Sequence, residues 1–261
     1  MPAVLLVPDL LLSQQTGFYP RLAEHLASRA YVLGIDAASS GYLPGQRNFD
    51  PSVAEGYRLG AELADLVTLL TALRAGELPQ SQVWDGRRLC IVGHGKGAAL
   101  ALHLERRLHV QGLGFEGSLA LLCPPSTLMR AGWPETGEAR VTVQVEDGSA
   151  LELAPGFLED LRELDALAPL PELVACASWP MLFISGEEDP VFPVSETEEL
   201  LGHAGIDKAR FVVIENTGHA FSASDPSRGS SRALDEMLGQ LDRFLDTLGD
   251  TPPKESAPGL A

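Results

Sequence analysis

Residues Cys90 to Gly97 read Cys-Ile-Val-Gly-His-Gly-Lys-Gly, and an apolar helix-like run follows at once. A buried strand that turns sharply into a helix between closely spaced glycines is the layout of a nucleophile elbow, Gly-x-Ser-x-Gly. Glycine stands at the serine position, Gly95. The centre of such an elbow has a positive φ, which glycine adopts without strain. The sequence therefore predicts that the turn is kept while the attacking hydroxyl is missing.

Apolar runs of strand length alternate with helix-like segments on both sides of this stretch. Six of them read as strands, at 3–7, 30–35, 88–92, 118–123, 180–185 and 210–214. Continuous apolar strands separated by helices predict an α/β fold with a mostly parallel, doubly wound sheet covered on both faces. Ligand sites of such sheets lie at the carboxyl ends of the strands.

Residues 126–179 interrupt the alternation just before the fifth strand. Val141 begins a stretch of alternating valines, Asp147-Gly148 offers a tight turn, and alternating leucines follow from Leu151. This pattern predicts a hairpin, followed by an acidic helix at about 155–164. We expect the segment to form a lid over the strand ends, inserted in a single domain of residues 1–248. The proline-containing tail, 249–261, is expected to be disordered.

Charge and hydropathy limit the partners and the location of the chain. The 261 residues carry a formal net charge of −17, which argues against nucleic acid and anionic membranes as partners. No apolar run approaches the roughly 18 residues that a membrane helix needs, and the N-terminus reads as a strand rather than a signal peptide. The three cysteines, Cys90, Cys123 and Cys176, show no CxxC spacing and predict buried, reduced thiols in a cytoplasmic protein.

Two further strand ends carry polar residues that suit catalysis. The fifth strand runs into Gly186, Asp189 and Pro193 with the spacing Gly-x-x-Asp-x-x-x-Pro, and the sixth is followed by Gly218-His219. Because parallel strands end at the same edge of a sheet, Gly95, Asp189 and His219 are expected to meet there.

Elbow, acid and base in this order resemble the α/β-hydrolase superfamily, over residues 3 to 248. Within it the chain is most similar to small carboxylesterases and cinnamoyl (feruloyl) esterases. The resemblance implies that His219 is the general base and that Asp189 orients it. It also implies that the backbone N–H of Lys96 is one oxyanion-hole donor and that a second comes from Asp9 or, in our assignment, Leu10.

The chain departs from this family before the oxyanion loop. The family has a His-Gly pair where this sequence has Pro8-Asp9. Proline donates no hydrogen bond, and a carboxylate beside an oxyanion hole opposes the developing negative charge. Trp133, Phe157 and Leu158 of the expected lid are candidate lining residues of a substrate pocket, or else core of the lid.

Plainer interpretations stand beside these assignments. Asp189 is also a turn residue before a proline, and His219 is also a possible structural histidine. His94 is left unassigned, and Cys123 lacks the local signature of a substitute nucleophile. The other histidines show no metal-ligand spacing, so neither a metal nor a cofactor is expected.

Three functional hypotheses remain open at the level of the sequence. The first is a carboxylic-ester hydrolase whose activity is strongly reduced because Gly95 replaces the nucleophile, so that Gly95→Ser restores hydrolysis. The second is non-covalent hydrolysis or elimination, in which His219 and Asp189 activate a water that fills the space of the absent serine side chain. The third is a non-catalytic binding or scaffold protein. The expected ligand is a small acyl ester or a similar apolar molecule.

Overall fold

The computed structural model of the chain describes residues 1–42, 49–130, 132–134, 140–144, 150–205, 207–223 and 229–249. Its centre is a sheet of six parallel strands in the order β2-β1-β3-β4-β7-β8. These strands are β1 (Ala3–Val7), β2 (Tyr31–Gly34), β3 (Arg88–His94), β4 (Glu116–Leu122), β7 (Met181–Gly186) and β8 (Ala209–Ile214). The predicted mostly parallel sheet of about six strands is confirmed.

Helices cover both faces of the sheet. They are α1 (Tyr19–Ala27), α2 (Pro51–Ala54), α3 (Leu59–Ala75), α4 (Lys96–Val110), α5 (Gly156–Leu167), α6 (Leu170–Cys176), α7 (Val194–Leu201) and α8 (Arg232–Gly249). Alternate residues of β1 pack into different apolar clusters, with Leu5 on one face and Leu6 on the other, both almost fully buried. The inner strands β1, β3, β4 and β7 are apolar runs because they are buried on both faces, whereas the edge strands β2 and β8 are only partly buried.

The segment between β4 and β7 contains an antiparallel strand pair and two helices. The pair is β5 (Val141–Gln144) with β6 (Ala150–Leu153), and α5 and α6 follow it. Two hydrogen bonds tie the segment to the end of α2 and the start of α3: the Ala154 N–H donates to the carbonyl of Glu55, which follows α2, and Asp160 accepts from the Gly60 N–H at 2.9 Å. The pairing matches the predicted hairpin, whose turn at Asp147-Gly148 lies outside the described residues.

Two further predictions concern the ends of the chain and its thiols. The last helix reaches Gly249, one residue beyond the boundary expected for the domain, and 250–261 lie outside the described residues. Cys90 and Cys123 are buried as predicted, whereas Cys176 is exposed, because it ends α6 at the surface. In the described part of the chain, no helix is both long enough and apolar enough to cross a membrane.

Candidate active site

The turn between β3 and α4 has the conformation expected of an elbow. Gly95 has φ +55° and ψ −122°, a region that side chains rarely adopt. A Cβ at Gly97 would lie 2.2 Å from the carbonyl oxygen of Val7, so the start of α4 packs directly on the end of β1. The glycines thus bring the elbow against the loop that follows the first strand.

Asp189 and His219 form the expected pair at the neighbouring strand ends. Asp189 follows β7, His219 follows β8, and Asp189 Oδ2 lies 2.7 Å from His219 Nδ1. The other oxygen of Asp189 accepts from the backbone N–H groups of Val191 and Phe192 at 2.7 and 3.0 Å. Burial alone would raise the pKa of Asp189, but these bonds and the charge of His219 lower it.

The second nitrogen of His219 is bound to another carboxylate, that of Asp9. Asp9 Oδ2 lies 2.9 Å from His219 Nε2, and Asp9 Oδ1 accepts the backbone N–H of Lys96 at 2.7 Å. A Cβ placed on Gly95 would lie 2.3 Å from the Cγ of Asp9. The Asp9 carboxylate therefore occupies the place of the absent serine side chain. A side chain from the β1 loop thus fills the space that the second hypothesis gives to a water.

These contacts fix the charges of the three groups. Burial would lower the pKa of His219, but the hydrogen bonds to Asp189 and Asp9 outweigh it and raise this pKa well above its ordinary value of about 6.5. Burial would raise the pKa of Asp9, and the hydrogen bond and charge of His219 lower it instead. The site thus contains an imidazolium held between two carboxylates.

The expected oxyanion-hole donor at Lys96 is already engaged by a side chain of the protein. The Lys96 N–H has the predicted position after the elbow, but Asp9 accepts its hydrogen bond. The backbone N–H of Asp9 donates to the Tyr19 hydroxyl at 2.9 Å. Leu10, the other expected donor, is partly buried, and its side chain packs against the larger apolar cluster.

His94, which sequence reasoning left unassigned, links the two sides of the site. Its Nδ1 lies 2.8 Å from the Tyr19 hydroxyl and its Nε2 lies 2.9 Å from the carbonyl oxygen of His219. Burial, reinforced by the charge of His219, lowers the pKa of His94 to about 4. A neutral His94 then donates from Nε2 to the carbonyl and accepts from Tyr19. The position of His94 inside the elbow was the only sequence signal for this role.

The three candidate pocket residues have different environments. Phe157 and Leu158 are 0% and 1% exposed and belong to the larger apolar cluster, so they pack the core. Trp133 is partly buried; its ring contacts Phe157 and lies 4.9 Å from the Nζ of Lys96. Of the three, Trp133 is the one in contact with a residue of the elbow.

One group of potential metal ligands lies at the site. Ligand atoms of His94, Cys123 and His219 lie within 4.8 Å of one another. The ring nitrogens of both histidines already have hydrogen-bond partners, and burial raises the pKa of the Cys123 thiol. This donor set does not fit a metal in the arrangement described, because a cation would have to displace several of these bonds.

Solved structures with the same fold include several hydrolases. Est1E from Butyrivibrio proteoclasticus, with ferulic acid bound, has a TM-score of 0.69 at 14% identity over 96% of this chain and 90% of that chain. A putative hydrolase from Agrobacterium vitis S4 has a TM-score of 0.69 at 14% identity over 93% and 87%. A structure from work on the metagenome-derived lipolytic enzymes LipS and LipT has a TM-score of 0.63 at 18% identity over 94% and 93%. At these identities the likeness concerns the fold.

Sequence comparison assigns the family directly. No curated protein matches this chain significantly. The model of the alpha/beta hydrolase family matches residues 4–231, which include the elbow and the Asp9, Asp189 and His219 positions. The chain therefore belongs to the α/β-hydrolase family.

Proposed function

We propose that this chain is a protein of the carboxylic-ester hydrolase type in which serine turnover is absent, and that it binds small acyl ligands without consuming them. The observation that carries the proposal is the carboxylate of Asp9, which lies between the Lys96 N–H and His219 Nε2. It occupies the place where an ester hydrolase needs its attacking hydroxyl. The fold shared with esterases and lipases supports the ligand class.

The loss of the hydroxyl removes most of the rate that a serine hydrolase provides. In a triad enzyme, removal of the nucleophile costs on the order of 10⁶ in turnover. This factor corresponds to about 8 kcal/mol of transition-state stabilisation. Neither Gly95 nor any of its neighbours in the elbow supplies a hydroxyl or a reactive thiolate in its place.

Activation of water by His219 and Asp189 is less well supported than the absence of catalytic turnover. A general base needs an unprotonated nitrogen within reach of the proton that it abstracts. Asp9 binds Nε2, and its charge helps to keep the ring protonated. Such a reaction would require Asp9 to move away or to lose its charge first.

The proposal includes partners and location. We expect a small apolar acyl compound as the ligand, and neither nucleic acid nor a membrane surface as a partner, because the net charge is −17. A cytoplasmic location remains part of the same proposal. A purely structural scaffold role is the alternative if no small molecule binds.

A set of stepwise variants tests the absence of turnover. Hydrolysis of 4-nitrophenyl acetate should stay at background in the native chain. Gly95→Ser alone should not restore it, in contrast to the prediction from the sequence, because the new Cβ would meet Asp9. The double variant Gly95→Ser/Asp9→Gly should hydrolyse the ester at least about 10-fold faster than either, since the serine then reaches His219. Adding His219→Ala to the double variant is the matched control and should abolish the gain. The proposal would be refuted if the native chain hydrolysed the ester and the single variant His219→Ala did not.

One observation favours a second candidate, in which Asp9 itself is the nucleophile. Each of its oxygens contacts a group that hydrolysis of an aspartyl ester would need. Oδ2 would attack an sp³ carbon and expel its leaving group, giving an alkyl ester of Asp9. The ester is uncharged, so the pKa of His219 falls. The imidazolium proton passes to solvent, and His219 then takes a proton from water as the water attacks Cγ. The Lys96 N–H holds the oxyanion on Oδ1, and the alkoxide leaves with the proton from His219.

Isotope labelling distinguishes an Asp9 nucleophile from a site that binds ligands without turnover. The chain would be incubated with 1-bromobutane in ¹⁸O-water, digested and analysed by mass spectrometry. An aspartate nucleophile gains ¹⁸O in the peptide that contains Asp9 and releases butanol, and Asp9→Asn should do neither. An unlabelled peptide with no butanol released contradicts the aspartate mechanism and supports a binding protein.

A further inference from the structure

The side chain of Lys96 ends in the interior, where no described residue forms a hydrogen bond with its Nζ. Lys96 is the first residue of α4 and is 4% exposed. Within the described ranges, its Nζ has neither a hydrogen bond nor an ion pair. Burial lowers its pKa to about 8, so most of the amine is still charged at neutral pH. A buried ammonium without a counterion costs several kcal/mol, and here no described residue supplies the counterion.

The two carboxylates whose charges act on Lys96 are already bound elsewhere. Asp9 is engaged by the Lys96 backbone N–H and by His219. Glu196 forms an ion pair with Arg130 at 2.7 Å and also accepts a backbone N–H. Both acids raise the pKa of Lys96, while neither contacts its Nζ.

An aromatic face from the segment between β4 and β7 lies next to this ammonium. The ring of Trp133 is 4.9 Å from Nζ and packs edge-on against Phe157. A cation–π contact of this kind contributes about 0.5–2 kcal/mol, which is less than a buried charge costs. A cation beside a flat apolar surface suits a ligand with an anionic head and an apolar body.

We propose that the Nζ of Lys96 binds the carboxylate of a small organic acid, whose apolar body packs against Trp133. This inference rests on the binding function proposed above and names its ligand class. One negative charge matches the Lys96 ammonium, which no described residue pairs. A second negative charge on the ligand would have to compete with Glu196 for Arg130 or with Asp9 for His219.

Calorimetric titration of the full chain with benzoate and benzamide tests the inference, because the two probes share a shape and differ in charge. Benzoate should bind at least about 10-fold more tightly than benzamide, a difference of about 1.4 kcal/mol. Lys96→Met should remove this preference and leave benzamide binding unchanged. Lys208→Met is the matched control: Lys208 donates to the Ala177 carbonyl, away from the elbow, and its loss should alter neither affinity.

Two further measurements keep the inference falsifiable. Lys96→Met should melt no lower than the native chain, because it removes an unpaired buried charge. Trp133→Leu should weaken the binding of benzoate and of benzamide by the same factor.

Three outcomes would overturn the carboxylate site: equal binding of the two probes, no binding of either, or binding of phosphate as tight as that of benzoate. Ester hydrolysis, measured in parallel, tests the proposed absence of turnover separately. Hydrolysis by a chain that still prefers benzoate would refute the absence of turnover and leave the carboxylate site standing.

Discussion

Asp9 connects two parts of the site that lie far apart in the sequence. It holds the first backbone N–H of α4 with one oxygen and the imidazole of His219 with the other. Both contacts are charge-assisted, and hydrogen bonds of this kind are stronger than neutral ones. The same carboxylate excludes a side chain from position 95. One residue therefore both links the strand ends and occupies the place of a hydroxyl nucleophile.

Asp9→Asn tests the contribution of this charge to folding. The amide keeps the shape, but it removes the anion that pairs with His219. We expect the free energy of unfolding at pH 7 to fall by about 1–3 kcal/mol, measured by urea denaturation. Asp246→Asn on the surface of α8 is the control and should cost little. Equal stabilities of native and Asp9→Asn proteins would contradict the ion pair.

The pH dependence of stability should change in the same variant. The folded pKa of Asp9 is depressed, so its contribution is present above the unfolded pKa of about 3.9 and is lost as the pH falls through the folded value. The folded pKa of His219 is raised, so its contribution is complete below about 6.5 and is lost as the pH rises through the folded value. Asp9→Asn should therefore lose less stability than the native chain as the pH falls below about 4. Parallel acid curves would contradict the assignment.

The residues of the site could be predicted from the sequence where they belong to a local motif at the end of a strand. Gly95, Asp189 and His219 carry local signatures next to strand ends, and the structure brings the last two within 2.7 Å. Asp9 was recognised as a departure from the family pattern and as a candidate oxyanion-hole donor, but its carboxylate was not assigned to the place of the nucleophile. Its role depends on the direction of a side chain in a loop that packs against the elbow, and no local pattern encodes this direction.

At the scale of single elements, α3 carries a buried acid that the site does not use. Glu62 in its first turn is bonded to the hydroxyl of Tyr57. Burial raises the pKa of Glu62 to about 7, and the negative charges of Asp65 and Asp9 add to this rise. The helix therefore contains a carboxyl group that titrates near neutrality.

Glu62→Gln should stabilise the chain in mild alkali. Between the unfolded pKa of about 4.3 and a folded value near 7, the folded chain binds more protons, so native stability falls as the pH rises. Glutamine removes this titration, and the gain in melting temperature should be larger at pH 8 than at pH 5. Exposed Glu77→Gln serves as the control. A gain that does not depend on pH would show that Glu62 titrates normally.

Elements were predictable where burial determined the apolar pattern. The inner strands β1, β3, β4 and β7 are largely buried and read as uninterrupted apolar runs. Strands β5 and β6 alternate because one face of the pair packs on the core. Sequence alone could not decide whether Phe157 and Leu158 line a pocket or pack the core. The answer depends on how α5 sits on α3, which the Asp160–Gly60 hydrogen bond helps to fix.

At the scale of the whole molecule, the parallel sheet explains why the site forms at all. Strands β1, β3, β7 and β8 end at one edge, and each contributes one member of the site through the residues that follow it. This convergence follows from topology and was predictable from the alternation of strands and helices. The α/β-hydrolase fold thus surrounds a site that contains an ion triad.

The protonation state of His219 at pH 7 is a direct test of whether Asp9 occupies the nucleophile position and holds this imidazole as a cation. ¹⁵N NMR of the histidine side chains can be assigned by the signals that disappear in His219→Gln. We expect both ring nitrogens of His219 to be protonated at pH 7 and well above, and the pKa to move down towards its ordinary value in Asp9→Asn. A neutral ring that titrates near 6.5 in the native chain would contradict the claim that Asp9 occupies the nucleophile position and holds the base.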